Sequence, residues 1–322
     1  MDFIKLDDIQ NRLVKHLNQD IKLQSIGFNA LDDYYKVILG NCTDITGYPY
    51  MGKTLLLMEI LFNLSYEYGY KHLLHLPDMG KPEEVIAILL QKLTGKTFDK
   101  RYENKIDEPT ILKNINWIDE HFKILSYEKR PSPIEFWEYA GTLDVQCASI
   151  DSWNYMRHDS SGTEYLASQL STRNELAEKY NKHFFTIIHP KNPTQHDKDA
   201  NGKVNAPDVY NLMGGSEWNN NGKNIIVLHK ESKESMDYDI YFRKIKPRIV
   251  GKTGMETMQY DIVRQKFFTA DKGTRMYAFG EKEKFDEVKN VQLNPDAGMK
   301  NFMFDKDSGD VMLDSEGREI PF

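Results

Sequence analysis

The chain has 322 residues, 40% of them hydrophobic and 28% charged, with a formal net charge of −7. That balance allows one large domain or two small ones with a substantial core, and it excludes a globally basic nucleic-acid coat. No apolar run is long enough to cross a bilayer, and Met1-Asp2-Phe3-Ile4-Lys5 has no signal-peptide profile. The two cysteines, Cys42 and Cys147, make no disulfide framework, so a reducing, cytoplasmic location is expected.

In residues 2–20, Leu6, Ile9, Leu13, Val14 and Leu17 recur near helical spacing and predict a short amphipathic helix. Its apolar face would pack either on its own core or on a neighbouring subunit. After Ser25–Asp32, Thr43–Thr46 reads as a strand that enters Gly47-Tyr48-Pro49-Tyr50-Met51-Gly52-Lys53-Thr54. An apolar helix follows, Leu55 to Leu61. Strand, loop and helix in that order are the context the pattern GxxxxGK[ST] requires. Gly47 and Gly52 free the backbone to wrap phosphate oxygens, with Pro49, Tyr50 and Met51 completing the loop. The amides entering the helix then point at the anion, aided by the helix dipole. Lys53 would reach the β- and γ-phosphates, and the Thr54 hydroxyl would bind Mg²⁺. The residues themselves therefore predict a nucleotide site.

Lys71–Leu76 reads as a strand ending at Pro77-Asp78-Met79-Gly80, and Pro82 opens a helix running to about Leu93. His72 and His75 sit three apart on that strand, face opposite ways and make no metal site. Residues 95–118 are polar and partly helical, His121–Tyr127 is a candidate strand and Ile134–Gly141 a helix. Val145–Asp151 is a buried strand with a carboxylate at its carboxyl end. A helix over 163–181 leads to a second buried strand, Phe184–Pro190, and a lysine-bearing polar loop, 191–206. A short helix after Pro207, a Gly/Asn loop (Gly214 to Asn221) and strands Asn224–Lys230, Tyr238–Ile245 and Gln259–Val263 complete this part. Strands alternating with helices predict a mostly parallel central sheet flanked by helices, with ligands at its carboxyl edge.

Across roughly residues 22–268, this order of features resembles the RecA-type ATPase core of DnaB/Twinkle-like hexameric replicative helicases, phage members above all. The resemblance implies a RecA-like P-loop NTPase that binds ATP and Mg²⁺ and moves along single-stranded DNA as a homo-oligomeric ring. It also suggests a phage-encoded protein working in host cytoplasm. By resemblance, Asp78 takes the place of the catalytic carboxylate, where the family usually has Glu, and would polarise the attacking water. Asp151 matches the Walker B aspartate that holds the metal with Thr54, and His189 matches the sensor of the γ-phosphate. Lys246 and Arg248, in Lys246-Pro247-Arg248, match the hairpin by which a neighbouring subunit completes the site. Residue by residue the plainer readings stay open: Pro77-Asp78 is a common turn pair, and Arg248 lies in a basic run (Arg243, Lys244, Lys246, Lys252).

The expected layout is a leading helix and linker (1–21), an ATPase core (22–270) and an acidic extension (271–322). Only about 20 residues precede the core, so no primase or helicase N-terminal domain is expected. DNA would meet the loops 191–206 and 212–223 in the ring channel, a placement compatible with an acidic chain. In the extension, Phe302–Phe304 and Val311–Leu313 would form a small hairpin. The terminal Ile320-Pro321-Phe322 resembles the tail by which bacterial single-stranded-DNA-binding proteins dock on replication partners. Two other functions fit the residues, a RecA-like recombination or repair ATPase and a non-unwinding ATP-binding scaffold.

Overall fold

The structure, a computed structural model, describes residues 5–17, 22–128, 130–232, 235–284 and the strand pairs 303–304 and 312–313. Helix α1 (Leu6–Leu17) has the expected amphipathic pattern, yet Leu6, Leu13 and Val14 stay exposed rather than packing on the chain's own core. Strand β1 (Gln24–Ser25), helix α2 (Asn29–Asp32) and strand β2 (Lys36–Val37) form a small antiparallel cap. Strand β3 (Cys42–Thr46) then enters the glycine loop and α3 (Lys53–Tyr68) leaves it. The alternation continues through β4 (His72–His75), α4 (Pro82–Thr94), α5 (Glu108–His121), β5 (Phe122–Ile124) and α6 (Pro133–Thr142). It closes with β6 (Cys147–Ile150), α7 (Thr163–Tyr180), β7 (His183–Ile188), α8 (Ser216–Asn221) and β8 (Asn224–His229). Strands β9 (Asp237–Lys244), β10 (Gly254–Asp261), β11 (Lys266–Asp271), β12 (Thr274–Met276) and β13 (Lys282–Lys284) follow as a meander.

These strands make one 11-stranded sheet in the order β13-β12-β11-β10-β9-β8-β3-β7-β6-β4-β5. From β8 to β5 every pairing is parallel, and from β8 out to β13 every pairing is antiparallel. Strands β12 and β13 extend the sheet past residue 270, because Thr269–Asp271 pair with Thr274–Met276 and these in turn with Lys282–Lys284. The expected hairpin also forms, with β14 (Met303–Phe304) paired to β15 (Met312–Leu313). The Ile320-Pro321-Phe322 terminus lies outside the described residues.

Burial explains the parallel half. Strands β3, β7 and β8 are buried along their whole length, as parallel strands covered on both faces must be. Side chains still alternate between faces. On β7, Phe184 stacks on Trp137 of α6, with ring centroids 4.5 Å apart, while Phe185 joins Leu57 and Leu61 of α3 in the opposite core. The same alternation separates His72, stacked on Phe122, from His75, packed against Phe136. Helix ends follow local chemistry. Gly69, at φ 67°, donates to the Leu64 and Ser65 carbonyls and stops α3, and Ser132 with Glu135 closes a capping box on α6.

Two local expectations change. The short helix after Pro207 is a single 3₁₀ turn (Val209–Asn211) capped by Asp208. The expected Gly/Asn loop is helical from Ser216, because Trp218 is fully buried there and its indole N–H donates to the Met213 carbonyl at 2.8 Å. Burial of one indole outweighs the weak preference of Asn and Gly for loops.

Candidate nucleotide site

The parallel register sets the site. His75 lies opposite Ile150, Ile150 opposite Thr186, Ile188 opposite Thr46 and Thr46 opposite Val227. The residues that follow these strands, Asp78, Asp151, His189 and Gly47, therefore emerge together along the carboxyl edge.

The loop is closed against its neighbours. Gly47 has φ 155°, and a Cβ there would stand 2.5 Å from the Leu228 carbonyl oxygen of β8. Gly52, at φ 79°, would place a Cβ 2.6 Å from the ring of Tyr238 on β9, over which the Lys230 ammonium sits at 4.6 Å. Between them Pro49 and Tyr50 are exposed, Tyr50 in the left-handed region at φ 66°, and the Met51 amide donates to Tyr48 at 3.3 Å. Lys53 is buried at the start of α3 and its Nζ donates to the Tyr48 carbonyl at 3.0 Å. Burial lowers its pKa, against the charges of Asp151 and Asp78.

The Thr54 hydroxyl donates to Asp151 Oδ2 at 2.5 Å. Asp151 is fully buried, and burial pushes its pKa up to about 6 against that hydrogen bond, with the charge of Asp78 pushing the same way. Its other oxygen, Oδ1, is buried without a hydrogen-bond partner in the structure. A hydroxyl beside a half-satisfied carboxylate is an oxygen donor set that fits Mg²⁺, which keeps much of its shell as water and phosphate oxygens. Among the described residues no cluster of three or more His, Cys, Asp or Glu is placed to hold a metal by itself.

Asp78 stands on a 3₁₀ turn (Pro77–Met79) whose amide donates to the Asp151 carbonyl at 3.3 Å. His189 Nε2 lies 3.6 Å from Asp78 Oδ2, an ion-pair distance rather than a direct hydrogen bond. Interaction with His189 chiefly holds the Asp78 carboxyl below its ordinary pKa, assisted by the Tyr155 hydroxyl and Lys53. The backbone beyond His189 is clamped. Pro190 bridges Leu212, the Lys191 amide donates to Asn211 at 2.8 Å and Met213 donates to the His189 carbonyl at 3.3 Å. In loop 191–206, Lys191 is exposed, whereas Lys203 is tied to Glu231.

Lys246 and Arg248 do not join these groups within one chain. The Lys246 carbonyl accepts from Asn41 Nδ2 and its amide donates to Asn224 Oδ1, both at 2.9 Å. Asn41 and Asn224 mark the amino ends of β3 and β8, so both cations lie at the opposite end of the strands from Lys53. That is about 17 Å along β3 at 3.3 Å per residue. Both are exposed, on the connection between β9 and β10.

Three neighbours of the site carry no motif in the sequence: the Leu228 carbonyl, Tyr238 and Tyr155. Only Tyr155, four residues beyond Asp151, had a positional hint.

A phosphate loop between β3 and α3, with its threonine bonded to the acid that ends β6, defines a RecA-type P-loop core. No family model matches the chain. Its sequence is similar to a Twinkle homolog protein, chloroplastic/mitochondrial, of Arabidopsis thaliana, 23% identical over 254 residues. That match takes in 74% of this chain and 35% of the relative, so the chain spans about a third of the curated protein it matches. Among solved structures, the ATPase domain of G40P overlays with a TM-score of 0.67 at 16% identity, covering 84% of this chain and 100% of that domain. A DnaB-like replicative helicase, described with its interactions with primase, overlays at 0.63 and 16% identity, over 84% of this chain and 68% of its own. The chain thus has the fold of a DnaB-like helicase ATPase core and a sequence similar to Twinkle. Among the described residues, no helix is long and apolar enough to cross a membrane.

Proposed function

We propose that this chain is an ATP-driven motor core that moves along single-stranded DNA as a closed, hexameric ring, hydrolysing ATP between subunits. The observation that carries the reading is the meeting of Thr54, Asp151, Lys53, Asp78 and His189 on one strand edge, with Lys246 and Arg248 at the other. Lys53 and the loop amides would hold the triphosphate, and bound Mg²⁺ would neutralise its charge beside Thr54 and Asp151. Asp78 would take the proton of the attacking water, and His189 would contact the γ-phosphate while the clamped backbone beyond it relays the change to loop 191–206. Arg248 and Lys246 would serve the site of the adjacent subunit, since a single chain keeps them at the far end of its sheet.

DNA would pass the loops on the carboxyl side, where Lys191 is exposed. The second candidate loop is shorter than its sequence range of 212–223, because α8 takes up residues 216–221. An ATPase assay with and without single-stranded DNA, on wild type and Lys53→Ala, tests the reading. DNA-stimulated turnover that vanishes in the variant is expected, and no turnover in wild type would refute it. Electron microscopy with ATP and DNA then separates a ring from the open filament of a recombination ATPase.

A further inference from the structure

Strand β9 pairs with β8 as far as Lys244, opposite Ile225, and Lys246 lies beyond that ladder. Its peptide groups are nonetheless held. Asn41 Nδ2 donates to the Lys246 carbonyl and the Lys246 amide donates to Asn224 Oδ1, both at 2.9 Å. The same two side chains turn back on Cys42, the first residue of β3. The Cys42 amide donates to Asn41 Oδ1 at 2.7 Å, and Asn224 Nδ2 donates to the Cys42 carbonyl at 2.9 Å. Four hydrogen bonds thus close a circuit through Cys42, Asn41, Lys246 and Asn224. Both asparagines are buried, and at every step an N–H faces an oxygen, so each amide fits in one orientation only.

The segment is anchored again just past Arg248. The Val250 amide donates to the Pro247 carbonyl at 3.0 Å, and the Val250 side chain is buried. The Lys252 amide donates to the Tyr34 carbonyl at 3.1 Å, and Gly251 lies so near that a Cβ there would stand 1.9 Å from the same oxygen. Arg248 is exposed between these two anchors. A long cationic side chain loses rotamer freedom when it engages a partner, so a fixed backbone beneath it limits what remains to be ordered.

We propose that Asn41 and Asn224 are positioning residues for Lys246 and Arg248, their circuit of hydrogen bonds fixing the backbone from which both cations meet the adjacent subunit's nucleotide. The assignment rests on the shared-site reading above, and the two amides act only through the segment they hold. Strand β3 carries the phosphate loop at its other end, so one strand spaces the site a subunit owns from the cations it lends.

Mixed-subunit ATPase kinetics, with nucleotide binding and thermal unfolding as controls, test this. Asn224→Ala alone should lower kcat about 10- to 100-fold, the scale of a small misplacement of a catalytic group. Its own nucleotide affinity should stay within about twofold of wild type. Mixed with Lys53→Ala protein, whose cationic segment is intact, it should regain turnover, because its own phosphate loop still works. Mixed with Arg248→Ala protein it should not, since neither lends a working arginine. Asn41→Ala should repeat the pattern. Restoration by both partners, restoration by neither, or a kcat within about twofold of wild type in both variants would overturn the assignment. Failure of both variants to fold would overturn it as well, because the amides would then hold the sheet rather than the cations. Full activity in Arg248→Ala removes the shared-site reading and this one together. Turnover that needs Arg248 but ignores both asparagines removes only their role.

Discussion

Replacing Asp151 by Asn should stabilise the nucleotide-free protein while it abolishes Mg²⁺-dependent hydrolysis. The carboxyl is fully buried, and burial raises its pKa from the ordinary 3.8 to about 6. Below pH ~4 the acid is protonated both folded and unfolded and contributes nothing. As pH rises from ~4 to ~6 the unfolded chain ionises first, so folding loses stability, and above ~6 the loss is complete. At 1.36 kcal/mol per pH unit the gap amounts to about 3 kcal/mol. Asn recovers less than that, because its amide also sits where Oδ1 now has no partner, and an unpaired buried donor costs about 1–2 kcal/mol. A net gain of about 1–2 kcal/mol is expected at pH 7.5, or about 3–6 °C in melting temperature for a domain this size. Thermal unfolding of wild type and Asp151→Asn at pH 5 and 7.5 measures it, with the gap between them narrowing at pH 5. A variant less stable than wild type at pH 7.5, or a gap that ignores pH, would show that the buried carboxylate is not the strained group described here.

Three further outcomes follow from the same geometry. Gly47→Ala sets a methyl 2.5 Å from the Leu228 carbonyl oxygen, a backbone atom with no rotamer to escape by, and should cost about 1–3 kcal/mol in chemical denaturation. Arg173→Leu strips the fully buried Asp44 of a two-pronged partner, at 2.5 and 3.1 Å, and should cost about 3–5 kcal/mol in the same assay unless the carboxyl protonates. Arg248→Ala should bind nucleotide as wild type does yet lose about 10³-fold in ATPase rate, and mixing it with Lys53→Ala protein should restore turnover at mixed interfaces. Full DNA-stimulated activity in Arg248→Ala alone would remove the shared-site reading.

The parallel half of the fold was legible because its strands are continuous apolar runs set between turn residues, and burial on both faces demands that pattern. The loop from Gly47 to Thr54 was legible for a related reason, since phosphate binding needs glycine, lysine and hydroxyl at set intervals along one short segment. Asp78, Asp151 and His189 could be placed at strand ends but not beside one another. Their meeting depends on register across β4, β6, β7 and β3, and that register is set by packing between residues far apart in the chain.

What the amino-acid order determined alone was local: which segments are strands, where the phosphate loop lies, which acids end apolar runs. Tertiary structure decided the rest. Trp218 turned an expected loop into a helix because one indole needed a core, and Asp78 came within 3.6 Å of His189 because β4 and β7 run parallel and finish on the same edge. Lys246 and Arg248 went to the far end of the sheet because β9 runs antiparallel to β8, carrying its end away from the edge where β8 finishes. Strand direction is a property of the assembled sheet, and no single segment contains it.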